Sequence, residues 1–255
     1  MLWHTTKDGK YRIESMSTAN FPAALEVART CFQDETVCIG TGVDKDPLAA
    51  EEMLELCADA ALDGLSLVAV ATDTEEVAAT VFCKLQEKPT TDSTEKTFFE
   101  IFSEERCKRP ASCFMMEFMI EVDEKCNYFE RCGVDCCCEI MFVGTLPHHR
   151  RKGLATLLVK TAVELVKKFK DGPIAPLTIL DLGPKYAFMK PKKPVSKSPQ
   201  LCTALWSAVG SKRIGQVLGF SILETFSFAD FVYDGVCCSD RIGAVVTCEC
   251  AVLKI

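Results

Sequence analysis

The chain has 255 residues and a formal net charge of −7 at pH 7, an acidic balance that argues against nucleic acid as a partner. Hydrophobic residues make up 48% of the chain and charged residues 25%, which is typical of a folded domain rather than of a disordered chain. Residues 1–20 are too polar for a secretory signal, and no segment has the length and apolar character of a membrane span. We expect one domain over residues 1–255, a cytoplasmic monomer that binds neither nucleic acid nor membranes.

The sequence contains 16 cysteines, which a reducing cytoplasm keeps as thiols. Cys136, Cys137 and Cys138 fall in a predicted strand, and no pair of cysteines has the Cys-x-x-Cys spacing of a zinc site. A free cysteine behaves in a protein core as a small hydrophobic residue. We therefore expect structural cysteines and no metal site, with redox sensing or adventitious metal binding as the alternatives.

Helical and strand patterns alternate in the first half of the chain. Asn20 and Asp46-Pro47 are helix-start signals, and Pro110 interrupts a long helical pattern. Asp73-Thr74-Glu75 joins two apolar runs as the turn of an antiparallel pair. The predicted elements are a strand at 11–16, a helix at 22–31, a turn-rich stretch at 33–46, a helix at 47–62, strands at 65–71 and 77–85, a polar excursion at 88–96 and helical packing over 98–131.

The second half of the chain predicts a strand, a long helix and another strand in succession. Such a unit places its two strands parallel, with a right-handed crossover, whereas the other neighbouring strands are expected to be antiparallel. The elements are strands at 138–145 and 177–182 around a helix at 153–169, a Lys/Pro-rich loop at 185–199, a helix at 202–218 and strands at 221–228 and 242–253. We predict an α/β fold with one mixed, mostly antiparallel sheet flanked by helices, in which 88–110 and 185–200 are loop insertions.

The most informative motif is Arg150-Arg151-Lys152-Gly153-Leu154-Ala155, which we call the cradle. It lies where the strand at 138–145 passes into the long helix. The start of a helix presents backbone N–H groups that have no helical acceptor, and its dipole favours negative charge. Gly153 lets an anion approach the main chain, and three basic side chains add positive charge. The motif predicts a phosphate-binding loop; the alternative is an ordinary basic helix start.

The spacing of the cradle resembles the Arg/Gln-x-x-Gly-x-Gly/Ala signature of the GNAT superfamily of N-acetyltransferases, in which this loop holds the pyrophosphate of acetyl-CoA. A second segment narrows the resemblance. Phe32-Gln33-Asp34-Glu35-Thr36-Val37 is similar to the Phe-x-x-Asp-Glu-Pro-Leu segment of the insect-type arylalkylamine N-acetyltransferases, with Thr36 at the position of the proline.

Two later segments resemble the same insect-type family. Ser207 and Ser211 repeat a pair of serines four residues apart, of which the second lies eight residues before Gly219-Phe220. Phe228-Ala229-Asp230-Phe231 is similar to the Phe-Ala-Asp-Tyr of that family. The resemblance thus extends from about residue 32 to residue 231, and the helix predicted at 202–218 would place both serine hydroxyls on one face.

The resemblance implies a GNAT fold with acetyl-CoA as co-substrate, and it assigns roles to individual residues. Glu35 has the role of general base, and Ser207 or Ser211 protonates the departing thiolate, with Tyr186 and Tyr233 as reserves. The cofactor-binding residues that it implies are Val143, Gly144 and Thr145 of the strand, and Arg150, Arg151, Lys152, Gly153, Leu154 and Ala155 of the cradle.

General chemistry explains why these residue types are needed. A primary amine with a pKa near 10.4 arrives protonated, and it can attack a thioester only after it loses a proton. Glu35 takes that proton, either from a partly buried position or through water, while a backbone N–H of the strand stabilises the charge that develops on the carbonyl oxygen. A thiol with a pKa near 8.5 leaves readily, so the serine acid is a modest aid. His148 and His149 stand beside the phosphates and are expected to be loop residues.

The resemblance implies acetylation of a small arylalkylamine, such as serotonin, dopamine, tyramine or tryptamine, by direct attack in a ternary complex. Phe32, Phe114, Phe118 and Phe231 are candidates for the walls of an aromatic slot. The expected partners are therefore the amine substrate and coenzyme A. The alternatives are acetylation of agmatine or polyamines, acetylation of peptides, and a non-catalytic acyl-CoA-binding module.

Overall fold

The structure is a computed structural model that describes residues 1–89, 96–169, 176–192, 195–244 and 246–255. The strands of this part of the chain are β1 (Leu2–Thr5), β2 (Tyr11–Ser15), β3 (Leu67–Ala71), β4 (Val77–Glu87), β5 (Cys136–Thr145), β6 (Leu201–Trp206), β7 (Ser221–Ser227), β8 (Val232–Tyr233), β9 (Val236–Cys237) and β10 (Thr247–Lys254). Eight of them form one sheet in the order β1-β2-β3-β4-β5-β6-β10-β7, and β8 pairs with β9 alone.

Within the eight-stranded sheet, β5 and β6 are parallel and the other neighbours are antiparallel. The parallel pair needs a crossover, which a long helix over the face of the sheet supplies. The predicted mixed, mostly antiparallel sheet with one parallel strand–helix–strand unit is therefore confirmed.

Helices occupy most of the remaining described chain. They are α1 (Phe21–Phe32), α2 (Thr36–Thr41), α3 (Pro47–Ala61), α4 (Phe98–Arg106), α5 (Pro110–Cys126), α6 (Tyr128–Cys132), α7 (Leu154–Lys168), α8 (Val209–Leu218) and α9 (Cys238–Ile242). Asp46 caps α3 by accepting hydrogen bonds from the backbone N–H groups of Leu48 and Ala49, and α5 begins at Pro110 as predicted. Among the described residues, no helix combines the length and the apolar composition required to cross a bilayer.

The helices bury both faces of the sheet. α1, α3 and α5 pack on one face, where Phe32, Met53 and Phe118 are almost fully enclosed. α7 covers the opposite face with an apolar side that includes Leu154 and Leu158. All 16 cysteines are free thiols and most are buried, which agrees with their expected role as small core residues.

Two segments of the second half differ from the prediction. Residues 202–218 do not form one helix, because Leu201–Trp206 is β6 and only Val209–Leu218 is helical. A short apolar run is compatible with a buried strand as well as with a helix. Residues 201–206 form a strand because they pair with β5 on one side and with β10 on the other. The strand expected at 177–182 is instead a 3-10 turn at Ile179–Leu182, in which the side chain of Asp181 caps Thr178. β6 takes its place as the parallel partner of β5.

Helices also occupy stretches for which the sequence predicted other structure. α2 lies inside the turn-rich stretch 33–46. α4 begins at Phe98, where helical packing was predicted, although its residues also fall within the predicted insertion 88–110. The last strand begins at Thr247 rather than at residue 242, because α9 precedes it. Residues 90–95 and 193–194 of the two predicted insertions lie outside the described residues.

Candidate active site

A cavity opens where the two parallel strands separate. Their paired residues run from Cys137 and Leu201 to Ile140 and Ala204, although β5 continues to Thr145 and β6 to Trp206. One extra residue of β5, Met141, bulges at this point from the ladder with β4. A bulge bends its strand, and bulges are common beside active sites. The resulting gap leads into a cavity of about 560 Å³ that borders both strands and the start of α7.

The cradle forms the mouth of this cavity. Gly153 precedes α7 with a left-handed φ of +76°, and Arg151 has a φ of +62°. Leu157 donates the first hydrogen bond of the helix, to the carbonyl of Gly153. No side chain caps the helix, so within the described chain the N–H groups of residues 154–156 lack an acceptor. A Cβ on Gly153 would meet no atom within 4 Å. The cradle therefore offers free N–H donors, a positive helix end and open space, which suit a phosphate group.

The basic side chains of the cradle are largely engaged within the protein. Arg150 donates to both carboxylate oxygens of Asp34, at 2.5 and 3.1 Å, and to the carbonyl of Thr145 at 3.0 Å. The ammonium of Lys152 donates to the hydroxyl of Tyr11 at 2.8 Å, and Lys152 does not line the cavity. Arg151, Gly153, Leu154 and Ala155 do line it. The free backbone N–H groups are therefore the main donors for a phosphate, whereas the sequence indicated the three basic side chains as well.

The residues just before the cradle form a polar cluster that the sequence did not predict. His149 lies in a short 3-10 turn and is 8% exposed, with its Nδ1 2.8 Å from the hydroxyl of Tyr11 and its Nε2 3.0 Å from Glu76. The Nε2 of His148 lies 3.2 Å from the same carboxylate oxygen. Both contacts lower the pKa of Glu76. The three ligand atoms lie within 4.8 Å of one another, close enough to share a cation, and here they contact each other and fix the turn that leads into the cradle.

Glu35 and Ser207 meet in the lining of the same cavity. Glu35 is the N-cap of α2, where one carboxylate oxygen accepts a hydrogen bond from the backbone N–H of Cys38 at 2.8 Å. Its other oxygen accepts from the hydroxyl of Ser207 at 2.7 Å. Ser207 follows the last residue of β6, so the separation of the parallel strands delivers it to Glu35 across 172 positions of sequence. The carboxylate is thus half-buried, oriented and adjacent to the cradle strand β5.

The two serines do not share a helical face as expected. Ser207 lies before α8, and Ser211 lies in the first turn of that helix. The hydroxyl of Ser211 accepts a hydrogen bond from the N–H of Ala208 at 3.1 Å and donates to its carbonyl at 3.0 Å. Both serines line the cavity, but only Ser207 contacts Glu35.

The reserve tyrosines lie outside the cavity. Tyr186 is buried against Phe21, with ring centroids 5.8 Å apart, and burial raises its pKa to about 12. Tyr233 stacks on Phe114 with centroids 4.9 Å apart. Neither side chain lines the cavity, so the geometry favours Ser207 over both tyrosines as the acid.

Replacing Ser207 by alanine is expected to lower kcat roughly tenfold, because Glu35 loses one hydrogen bond to its charged form. Replacing Ser211 by alanine should instead mainly destabilise the start of α8, by about 1 kcal/mol. Steady-state kinetics and thermal unfolding of both variants check this. A larger loss of kcat for Ser211→Ala than for Ser207→Ala would reverse the assignment.

The strand residues predicted to bind the cofactor lie in the cavity wall. Val143, Gly144 and Thr145 all line the cavity. Gly144 is required by packing, because a Cβ there would lie 2.8 Å from the sulfur of Cys31 on α1. This close approach lets α1 bring Glu35, a few residues beyond its end, against the edge of β5.

The deeper cavity is apolar but differs from the predicted aromatic slot. Of the four predicted aromatic walls only Phe32 lines it, with its ring 5.5 Å from that of Phe142. Phe118 packs on Phe231 in the core, and Phe114 stacks on Tyr233. Other large apolar side chains also line the cavity: Leu56, Phe99, Met115, Met116, Met119, Ile140, Met141, Phe142, Leu154, Leu205, Trp206 and Ile214.

One carboxyl group that the sequence did not single out also lines the cavity. Glu139 of β5 is 6% exposed, and one of its oxygens accepts a hydrogen bond from Gln86 at 2.6 Å. Burial raises the pKa of Glu139 to about 7, against the opposing effect of the Lys84 ammonium. Its position in an alternating run of cysteines and apolar residues gave no signal of a site.

The sequence model of the acetyltransferase (GNAT) family matches residues 44–173, just over half of the chain. The chain belongs to the GNAT family. It is an acyltransferase that uses acetyl-CoA as co-substrate. The cradle fits the pyrophosphate of that molecule, because its free N–H groups and the open space at Gly153 lie in the mouth of the cavity. Glu35, Ser207 and Ser211 lie outside the matched residues.

Several solved structures with a similar fold come from insects. Arylalkylamine N-acetyltransferase 2 from Aedes aegypti is 18% identical with a TM-score of 0.70, covering 96% of this chain and 99% of that one. A putative arylalkylamine N-acetyltransferase 7 from the same mosquito is 16% identical, with a TM-score of 0.70 and coverage of 100% and 94%. A Drosophila melanogaster polyamine N-acetyltransferase that forms N-acetylagmatine is 13% identical, with a TM-score of 0.64 and coverage of 96% and 100%. Among curated proteins the sequence has no significant match. At such identities these likenesses show the fold alone.

Proposed function

We propose that this GNAT enzyme acetylates the primary amine of a small arylalkylamine by direct attack within a ternary complex. The observation that carries the proposal is the hydrogen bond of 2.7 Å between Ser207 and Glu35, at a cavity bordered by the cradle. A module that only binds acyl-CoA needs the cradle but not an oriented carboxylate beside it. The insect neighbours that act on arylalkylamines support the same substrate class.

On the amine side, Glu35 removes the proton that blocks attack. The N–H of Cys38 and the hydroxyl of Ser207 hold the two carboxylate oxygens in place, so no reorientation is needed when the amine arrives. The apolar wall of methionine and phenylalanine side chains favours the neutral amine over the ammonium ion. The amine is therefore deprotonated by Glu35 at the same place in the cavity where it is positioned for attack.

On the cofactor side, acetyl-CoA supplies an activated acetyl thioester. Backbone N–H groups of the cradle would hold its pyrophosphate, and Val143, Gly144 and Thr145 would line the path of its pantetheine arm. Ser207 touches Glu35, so a proton gained by the carboxylate has a short path through the hydroxyl to the departing sulfur. The reaction as a whole converts an ammonium ion and a thioester into an amide, a thiol and one released proton.

A panel of acceptors tests the proposal. Purified protein with acetyl-CoA should release free thiol with tyramine, dopamine, serotonin and tryptamine at higher kcat/KM than with agmatine, spermidine or an N-terminal peptide. A peptide preference would contradict the proposal in favour of protein acetylation. Binding of acetyl-CoA without thiol release from any acceptor would contradict it in favour of a non-catalytic module.

A further inference from the structure

Glu139 lines the same cavity as Glu35, at the part of β5 that still pairs with β6. Glu139 pairs with Lys84 on β4 and with Thr203 on β6. Ser207 is four residues beyond Thr203, or about 13 Å along the strand direction. Because Ser207 contacts Glu35, about this length of strand separates the two carboxyl groups that line the cavity. Between them the cavity is lined mainly by apolar side chains.

Glu139 lacks a cationic partner although two lysines are near. Lys84 donates to Asp59 at 2.9 Å, and Lys192 donates to Asp63 at 2.6 Å. Lys192 also lies 3.1 Å from Asp59, so these two aspartates engage both ammonium groups. Among the described residues, Glu139 accepts a hydrogen bond from Gln86 alone, through one oxygen.

A second polar group beside Glu139 is also unsatisfied. The hydroxyl oxygen of Thr203, the neighbour of Glu139 on β6, is buried and has no hydrogen-bond partner among the described residues. Buried polar groups normally have partners, and a buried carboxylate oxygen without a donor is costly. Thr203 does not line the cavity, so the acceptor that a ligand can satisfy there is the carboxylate oxygen of Glu139 that Gln86 leaves free.

The surroundings select the kind of donor that fits. A guanidinium carries five N–H donors, whereas Glu139 offers one free oxygen among methionine and phenylalanine side chains. Burial and the neighbouring Glu139 raise the pKa of Asp123, so this acid opposes rather than adds negative charge beside Glu139. The other carboxylates that line the cavity, Asp34 and Glu35, are engaged at its mouth. A single neutral O–H group on an apolar ring satisfies this site, and a multiply charged cation does not.

We propose that Glu139 forms a distal subsite that accepts a hydrogen bond from a ring hydroxyl of the substrate, so that the enzyme selects hydroxylated arylalkylamines. This inference rests on the proposed function. The ring lies against the methionine and phenylalanine walls, its hydroxyl reaches Glu139, and its amine reaches Glu35. The subsite adds specificity to a site in which the apolar walls alone would accept any ring of similar size.

Tyramine and 2-phenylethylamine form a matched pair that differs by one hydroxyl. The unmodified enzyme should prefer tyramine in kcat/KM by roughly 10- to 100-fold, the range expected for one hydrogen bond to a charged group. Glu139→Gln, which keeps the shape and a neutral acceptor, should reduce the ratio several-fold. Glu139→Met should bring it to about one by lowering kcat/KM for tyramine and not for 2-phenylethylamine. The control Glu117→Gln, on the exposed side of α5, should keep the full ratio.

Calorimetry separates failure of the subsite from failure of the proposed function. The ratio of the dissociation constants of the two amines, measured with coenzyme A present, reports on the subsite whether or not turnover occurs. A ratio near one in the unmodified protein, or a ratio that Glu139→Met leaves unchanged, overturns the inference. Tighter binding of agmatine than of tyramine that is lost in Glu139→Met also overturns it, because the subsite would then recognise a cation.

Discussion

Replacing Glu35 by glutamine is expected to lower kcat for amine acetylation by roughly 10²- to 10⁴-fold, the usual contribution of a general base. Glutamine keeps the size of the side chain but cannot accept a proton from the ammonium group. The dissociation constant of acetyl-CoA should stay unchanged, because the hydrogen-bond partners of Glu35 are Cys38 and Ser207 and not the residues of the cradle. Steady-state kinetics and calorimetry measure the two quantities separately.

Glu35 also caps α2, so the loss of a capping carboxylate needs its own control. Glu100 accepts a hydrogen bond from the N–H of Thr97 in the capping box of α4, and it does not line the cavity. Glu100→Gln should lower the free energy of unfolding by about 1 kcal/mol, as Glu35→Gln does, and leave kcat at its original value. Equal losses of kcat in Glu35→Gln and Glu100→Gln would mean that Glu35 acts through the fold and not as the base.

Replacing Gly153 by valine is expected to raise KM for acetyl-CoA by roughly 10- to 100-fold, which corresponds to the loss of one charge-assisted hydrogen bond in the cradle. A Cβ at this position meets no protein atom within 4 Å, so the new side chain extends into the space that the phosphates would approach. KM for the amine should change far less. Kinetics with each substrate varied in turn measures both constants.

Valine at Gly153 also strains the backbone, because its φ of +76° is left-handed. Gly133, at the end of α6, has a φ of +66°, also has no atom within 4 Å of its Cβ position and does not line the cavity. Each valine should cost about 1–2 kcal/mol of stability, but Gly133→Val should leave KM for acetyl-CoA unaltered. If both variants raise KM equally, the strain and not the blocked cradle is responsible.

The sequence predicted those parts of the site that depend on local backbone chemistry. The cradle needs only a strand, a Gly at the helix start and the following helix, and all three are encoded within neighbouring residues. Glu35 was assigned by resemblance, and the contact with Ser207 supports that assignment. The alternation of helical and strand patterns along the chain predicted the fold class, because these patterns are also local.

The sequence failed where long-range pairing decides the outcome. The apolar run at 201–206 became a strand because β5 and β10 flank it, and neither partner can be identified from the run itself. With the strand misassigned, Ser207 and Ser211 were placed on one helical face, whereas the contact of Ser207 with Glu35 depends on where β6 ends. Glu139 was missed for a similar reason: its buried position and its single hydrogen bond depend on Gln86, Lys84 and Thr203, which lie on other strands.

We propose above that the chain transfers acetyl from acetyl-CoA to the amine of a small arylalkylamine. Mass spectrometry of the products formed with tyramine, together with free thiol measured in the same samples, tests it most directly. We expect one N-acetylated tyramine, with the phenol unmodified, for each thiol released, and almost none of either with Glu35→Gln. Thiol release without an acetylated amine, or no product under conditions in which acetyl-CoA is bound, would contradict the claim.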